Sequence, residues 1–255
     1  MSVTVTICIP TFRRLGYLKE AVAAAQAQTL QNIEVLISDD GVSEELKQWS
    51  ESAARADSRV RYRRNTKNLG LGGNWNECVS AARGQWVVIQ GDDDRLLPSF
   101  CESLLRIASS DSTVLFSNHY VIDEHGDRLA KESEEWTVRY RRHLLPRGKV
   151  QDAARCVWSN SVPMTAALVR ADAIKRLGIK KWSHAVDEVV TQLCAALEAD
   201  YVVIGGGNAR KLKRLPKNAR LGSNDFAFTG AFRVWRDGAK APPAAKRYQR
   251  RIVIP

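Results

Sequence analysis

Short β-branched runs alternate with helically spaced segments through residues 1–118, and this pattern constrains the chain more than any other feature of it. Val3 to Ile9 is an apolar β run, Leu15, Leu18, Val22 and Ala25 recur at helical spacing, and Ile33 to Ile37 is a second β run. "EELKQWSESAARA" then reads as a polar helix, "RVRYRR" as a short strand, "LGGNWNECVSAAR" as a helix and "WVVIQ" as a fourth strand. "SFCESLLRIASS" resumes a helix and "TVLFSN" a strand. Strands separated by crossover helices run mostly parallel, so the expected class is α/β: a Rossmann-like, mostly parallel central sheet with helices on both faces. Ligands of such sheets bind beyond the carboxyl ends of the strands.

The second half is less regular. "VLFSNHYVIDEHGDRLA" predicts two strands around a turn at Glu124 to Gly126, while "VQDAARCVW" and "TAALVRADAIKRLG" carry helical patterns, the latter with Gly178 at a C-cap position. "AVDEVVTQLCAALEA" reads as an amphipathic helix, "DYVVIGGG" as a strand, and the remainder as loop and tail. At 255 residues, 44% of them hydrophobic, the chain can bury one domain core with a subdomain.

Three polar clusters fall on one rim of the expected sheet. "PTFRR" (Pro10 to Arg14) leaves strand one, "SDDG" (Ser38 to Gly41) leaves strand two, and "GDDD" (Gly91 to Asp94) leaves the "WVVIQ" strand. Adjacent carboxylates repel, so three at one strand end need a cation or amide donors to offset them. A hard divalent ion such as Mg²⁺ or Mn²⁺, with phosphate and water filling its shell, is the simplest such partner. The competing reading is a solvated acidic turn that caps the helix starting near Pro98.

Other signals narrow the class. The five cysteines, Cys8, Cys78, Cys101, Cys156 and Cys194, are far apart without any CxxC, which predicts reduced, mostly buried thiols. No apolar run approaches the roughly 20 residues that cross a bilayer. "MSVTVTICIP" lacks a basic n-region and long h-region, so the expected location is cytoplasmic. Gly70-x-Gly72-Gly73 does not match GxGxxG and no GxxxxGK[ST] occurs, which argues against dinucleotide and P-loop sites.

Net charge is +11 and unevenly placed: residues 1–127 hold 13 basic against 17 acidic side chains, residues 128–255 hold 26 against 11. Residues 210–255 alone carry 13 basic and 2 acidic. That basic end reads either as a solvated tail or as a surface lying against anionic lipid, worth roughly 1 kcal/mol per basic residue near the membrane. Nucleic acid is the least supported partner, since no aromatic interleaving accompanies the charge.

The succession "VTICIPTFRRLGYLKEAVAAAQAQTLQNIEVLISDDGVSE", "NLGLGGNWN" and "GDDDRLLP" resembles the family 2 glycosyltransferases of the GT-A fold. The resemblance is strong over residues 1–100, and "TAALVRADAIKRLG" with "VDEVVTQL" is similar to the family's acceptor-side segment and base-bearing helix. It implies a nucleotide-sugar-binding half (residues 1–115), a smaller, irregular acceptor-binding and base-bearing half (residues 116–209) and a basic C-terminal extension (residues 210–255). Carried over by position, it implies that Pro10, Thr11, Phe12 and Arg13 wrap the nucleotide, that Asp39 bonds the base or ribose with Asp40 in support, and that Asn68 and Gly70 lie in a closing loop. Asp93 becomes the metal ligand, helped by Asp92, with Asp94 facing the donor sugar; the register Asp92-x-Asp94 stays open.

Two departures stand out. Measured back from Pro98, the first aspartate of the family's acidic element falls on Gly91, and the family's Glu-Asp pair is inverted here to Asp187-Glu188, leaving either acid as general base. The implied activity is an inverting, metal-dependent (Mg²⁺ or Mn²⁺) transfer from a nucleotide-diphospho-sugar, a UDP-sugar first, to a hydroxyl of a glycan or lipid-linked acceptor. Such a reaction builds cell-surface polysaccharide, many similar enzymes working at the inner face of a bacterial membrane. The competing expectation is a catalytically inactive sugar-nucleotide-binding or scaffold protein.

Overall fold

The computed structural model describes residues 3–151, 153, 156, 159–175, 187, 190–191, 200–204, 212–222 and 251–254. The chain divides into two compact units, Met1–Lys175 with Tyr248–Pro255, and Arg176–Arg247.

In the first unit, β1 (Val5–Thr11), β2 (Ile33–Asp39), β3 (Val60–Arg64) and β4 (Trp86–Ile89) are separated by α1 (Leu15–Gln26), α2 (Glu44–Ala56) and α3 (Gly70–Ala81). Every pairing among these four strands is parallel, in the order β3-β2-β1-β4. β9 (Ala167–Arg170) and β6 (Val114–Phe116) extend the sheet beyond β4, with β9 antiparallel to both neighbours. Side chains alternate across β1. Val5, Ile7 and Ile9 pack with Leu18 and Val22 of α1, Leu46 of α2 and Phe100 of α4 (Phe100–Arg106). Cys8 faces the other way, toward Cys78 of α3 and Ala171 of α6 (Ala171–Lys175). Helices therefore cover both faces, which is why β1, β2 and β4 are buried throughout and read as continuous apolar runs. Each fully buried aliphatic side chain contributes about 1.5–3 kcal/mol here.

The Ser43 hydroxyl caps α2 by accepting the Leu46 amide at 3.3 Å. Four cysteines, Cys8, Cys78, Cys101 and Cys156, are free and buried, as their spacing predicts; Cys194 lies outside the described residues.

Two segments differ from the sequence expectation. "TAALVRADAIKRLG" does not open as a helix: Ala167–Arg170 is a strand held between β4 and β6, and the helix begins only at Ala171. Ala167, Leu168 and Val169 are consecutive apolar residues without a two-residue period, and a run this short is indistinguishable from a buried helical stretch. The loop and tail expected up to the last residue do not include Arg251–Ile254, which form β12. This strand sits between β5 (Arg95–Leu96) and β7 (Tyr120–Ile122) in a four-stranded sheet completed by β8 (Arg128–Leu129). The turn expected between β7 and β8 is present, with Asp123 Oδ1 accepting the amides of His125 and Asp127 at 2.9 Å each. α5 (Ala130–Arg139) follows.

In the second unit β10 (Val202–Ile204) pairs in parallel with β11 (Ala219–Leu221). No helix among the described residues is long and apolar enough to cross a membrane.

Candidate active site

β1 and β4 stop bonding one another at Cys8 and Ile89, with a last bond from the Gln90 amide to the Cys8 carbonyl at 2.8 Å. Even-numbered residues of β1 face β4, so Pro10, which has no N–H, sits where that ladder has ended. β1 continues with β2 to Thr11 and Asp39, where the Asp40 amide donates to the Thr11 carbonyl at 3.0 Å. The strand ends of β1, β2 and β4 thus share one rim, and β1 parts from β4 there.

The acidic turn closes this gap. The Thr11 hydroxyl donates to Asp92 Oδ2 at 2.8 Å, tying residues 81 positions apart. Hydrogen bonds to charged groups of this kind contribute about 1.5–3 kcal/mol. Asp92 is 1% exposed, and burial raises its carboxyl pKa against the opposing pull of Thr11 and Arg14. Arg14 spans the cluster: Nη1 donates to Asp93 Oδ2 at 2.7 Å, Nη2 pairs with Asp92 Oδ1, and Nε reaches Asp92 Oδ2 at 3.4 Å. Although burial opposes its charge, the two aspartates raise the Arg14 pKa. Asp94 is buried, its Oδ1 accepts the Ile252 amide at 2.9 Å, and burial reinforced by the Asp93 charge lifts its pKa to about 7. The crowding of acids is therefore offset by one guanidinium, one hydroxyl and one strand amide.

Asp93 differs from its neighbours. Its side chain is 21% exposed and Arg14 takes only Oδ2, leaving Oδ1 without a donor among the described residues. Gly91, the departure from the family pattern, has a packing cause. A Cβ there would stand 2.7 Å from Asp94 Oδ2 and 2.9 Å from Asp93 Oδ1, so a fourth side chain cannot join this turn without moving both carboxylates.

The second acidic pair is enclosed. Asp39, 0% exposed, accepts the Gly41 amide on Oδ1 and both the Tyr62 hydroxyl and Arg64 Nε on Oδ2, each at 2.8 Å. Burial and this bond raise the Tyr62 pKa. Asp40 accepts Asn65 Nδ2 at 2.8 Å and the Leu69 amide at 2.9 Å. Asn65 also donates to Asn74 Oδ1 at 3.1 Å, and Asn74 bonds the Ser38 carbonyl at 2.9 Å, fastening α3 to β2. Asn68 Oδ1 accepts the Gly70 amide at 2.8 Å, and Gly70 takes a left-handed φ of +70° as it opens α3.

Phe12 is 41% exposed, and the Arg13 guanidinium lies 4.7 Å from its ring. Arg13 itself has φ +64°, an uncommon conformation for a residue with a Cβ, in the turn between β1 and α1. Pro10, Thr11, Phe12, Arg13, Asp39, Asp40, Asn68, Gly70, Asp92, Asp93 and Asp94 thus gather around the ends of β1, β2 and β4. Asp187 belongs to the other unit, where it is helical and half-buried, and its carbonyl accepts the Thr191 hydroxyl at 2.8 Å. Glu188 lies outside the described residues. Sequence reasoning missed Arg14, Tyr62, Arg64, Asn65 and Arg251. Of these only Arg14 lay within a polar cluster already singled out, "PTFRR", though without a role assigned to it.

Parallel strands in the order β3-β2-β1-β4, with helices on both faces and acids where β1 and β4 diverge, form a doubly wound α/β framework, a class whose ligands bind beyond the carboxyl ends of the strands. The sequence model of glycosyl transferase family 2 matches residues 6–178, and the chain belongs to that family, with its GT-A fold. A β-1,3-glucosyltransferase of Campylobacter jejuni, named for its GalNAc(5)-diNAcBac-PP-undecaprenol acceptor, is 30% identical over 128 residues, half of this chain and 41% of that protein. The abequosyltransferase of Salmonella typhimurium is 37% identical over 98 residues, 36% of this chain and 28% of its own. The chain therefore spans less than half the length of these curated relatives. Among solved structures, a mannosyltransferase of Pyrobaculum calidifontis with GDP-Man and Mn²⁺ is 17% identical, covering 45% of this chain and 35% of that one, with a TM-score of 0.41.

Proposed function

We propose that the chain is an inverting glycosyltransferase that moves a sugar from a nucleotide-diphospho-sugar, a UDP-sugar first, to a hydroxyl of a glycan or lipid-linked acceptor. The observation that carries this reading is the Thr11–Asp92 bond at the gap between β1 and β4, which presents Asp93 beside the strand ends. The relative in Campylobacter jejuni, whose acceptor is a lipid-linked glycan, supports the acceptor class.

No three acidic, histidine or cysteine side chains converge among the described residues, so the support for a hard divalent cation is Asp93 alone, which keeps an exposed edge and an oxygen without a donor, as an ion held by one or two carboxylates with water and phosphate would use. Asp93 would hold Mg²⁺ or Mn²⁺, with Asp92 as the buried support that Thr11 orients. A bound ion supplies neutralisation of the departing diphosphate. Arg14 pairs with Asp92 and Asp93, and on release it is placed to meet an anionic ligand bidentately. Phe12 and Arg13 flank the nucleoside, and Asp39 bonds its ribose or base with Asp40 in support. Asp94 faces the donor sugar. Asp187, or Glu188 beside it, takes the proton of the acceptor hydroxyl as it attacks the anomeric carbon from the side opposite the leaving group. One displacement inverts that centre, and the general base contributes on the order of 10²- to 10⁴-fold.

The residue ranges 1–115, 116–209 and 210–255 remain the proposed functional divisions. A peripheral contact of the basic stretch with anionic lipid at the cytoplasmic face belongs to the same reading. A sugar-nucleotide-binding protein without turnover is the second reading, favoured by the pairing of Arg14 with both Asp92 and Asp93.

Calorimetric titration with UDP, GDP and dTDP, each with and without Mn²⁺, tests the proposal. Mn²⁺-dependent binding of one nucleotide is expected, followed by release of free nucleotide from its sugar conjugate when acceptor is added. Asp187→Asn should keep the binding and lose at least about 10²-fold in turnover. Binding indifferent to Mn²⁺ and no release with any acceptor would favour the non-catalytic reading.

A further inference from the structure

Arg251 is fully buried, and it lies in the part of the sequence expected to be loop and tail. Its guanidinium makes contacts in three directions. Nε donates to the Asp93 carbonyl at 2.7 Å, Nη1 donates to the Glu124 carbonyl at 3.1 Å, and Nη2 pairs with Glu20 of α1. The ring of Tyr17, also on α1, lies 4.4 Å from the guanidinium carbon. The following residue continues the same function: the Ile252 amide donates to Asp94 Oδ1 at 2.9 Å, and the Ile254 carbonyl accepts the Leu97 amide at 2.7 Å. The acidic turn and β5 are thus held from one side by successive residues of β12, as Thr11 and Arg14 hold them from the other.

A buried ion pair is weak evidence for stability, because the desolvation of both charges offsets their attraction. Glu20 is shared with Arg95, whose Nη2 lies 2.7 Å from the same oxygen, and the other partners of Arg251 are carbonyls and a ring. Apolar side chains could fill such a position equally well. What a guanidinium adds is direction, since its rigid fork of donors fixes three separate segments relative to one another.

We propose that Arg251 is a positioning residue that sets the main chain of the acidic turn, so that the Asp93 carboxylate faces the gap between β1 and β4. The functional part of this inference rests on the glycosyltransferase reading; the tie between β12 and the turn does not.

Amide hydrogen exchange of the full chain, wild type against Arg251→Met and Arg251→Lys, separates the two. The expected result for Arg251→Met is exchange faster by about tenfold or more in residues 91–97, with residues 5–11 and 33–39 unchanged. Arg251→Lys, which can still donate to one carbonyl, should recover part of the protection, and it carries the comparison if the methionine variant does not fold. In calorimetry with Mn²⁺ and UDP, the dissociation constant should rise about tenfold in Arg251→Met and less in Arg251→Lys. Unchanged exchange in residues 91–97, or acceleration spread evenly over the sheet, overturns the proposal. A wild-type chain that binds none of the three nucleotides overturns the glycosyltransferase reading instead, and the exchange data still decide whether Arg251 holds the turn.

Discussion

Two acidic groups stand on the same sheet rim and are treated in opposite ways. Asp39 and Asp40 are enclosed by donors from the chain: the Gly41 and Leu69 amides, the Tyr62 hydroxyl, Arg64 and Asn65. Asp92, Asp93 and Asp94 share one flexible guanidinium, one hydroxyl and one strand amide, and the middle carboxylate keeps an exposed edge. The difference teaches that acidity at a strand end is not by itself a sign of a ligand site. A carboxylate whose partners are main-chain amides and packed side chains is built into the fold. One that keeps an exposed edge, as Asp93 does, is open to a ligand.

That contrast predicts unequal consequences. The largest is at Asp93: Asp93→Ala should reduce sugar transfer about 10³-fold while leaving the unfolding midpoint in urea near the wild-type value, since it removes charge stabilisation at the leaving group. Asp39→Ala should act first on stability, and through the ribose or base contact proposed for it should weaken nucleotide binding as well. It strips a fully buried carboxylate from Arg64, Tyr62 and Gly41, and chemical denaturation should show a loss of about 3 kcal/mol.

Asp94 gives a smaller effect with a defined sign. Its folded pKa, about 7, lies above the ordinary 3.8, so the folded chain holds a proton that the unfolded chain releases between those values. Stability from this group is fully present below pH 4 and falls as pH rises toward 7. Relative to Asp94→Asn, the wild type should lose about 2 kcal/mol between pH 5 and pH 8 in paired urea titrations. The smallest effect concerns Arg14. Arg14→Met should bind Mn²⁺ alone about threefold more tightly, because a competing cation is gone, and bind Mn²⁺–UDP more weakly. Weakening of both would make Arg14 a structural strut.

Both acidic groups were placed from sequence on the same grounds. β1, α1, β2, α2, β3, α3 and β4 are legible because each buries one stripe or two faces, and the three polar clusters then follow on one rim. The partners were not legible. Tyr62 and Arg64 belong to a strand whose alternation of arginines reads as a solvated edge, and only the β2–β3 register brings Arg64 opposite Asp39. Ala167–Arg170 gives no strand signal because its three apolar residues are consecutive and too few to show a period. Arg251-Ile252-Val253-Ile254 is too short a run, at the end of a basic stretch, to declare that it completes a sheet 158 residues from the aspartates it bonds. Gly91 was visible as a departure, but its cause, two carboxylates occupying the space of a Cβ, exists only in three dimensions.

Electron paramagnetic resonance of Mn²⁺ titrated with the protein and UDP tests the distinction most directly, using wild type, Asp93→Asn and Asp39→Asn side by side. At UDP concentrations that saturate each variant, loss of the free-ion signal with wild type and with folded Asp39→Asn, but not with Asp93→Asn, is the predicted result. Equal uptake of Mn²⁺ by wild type and Asp93→Asn would contradict it.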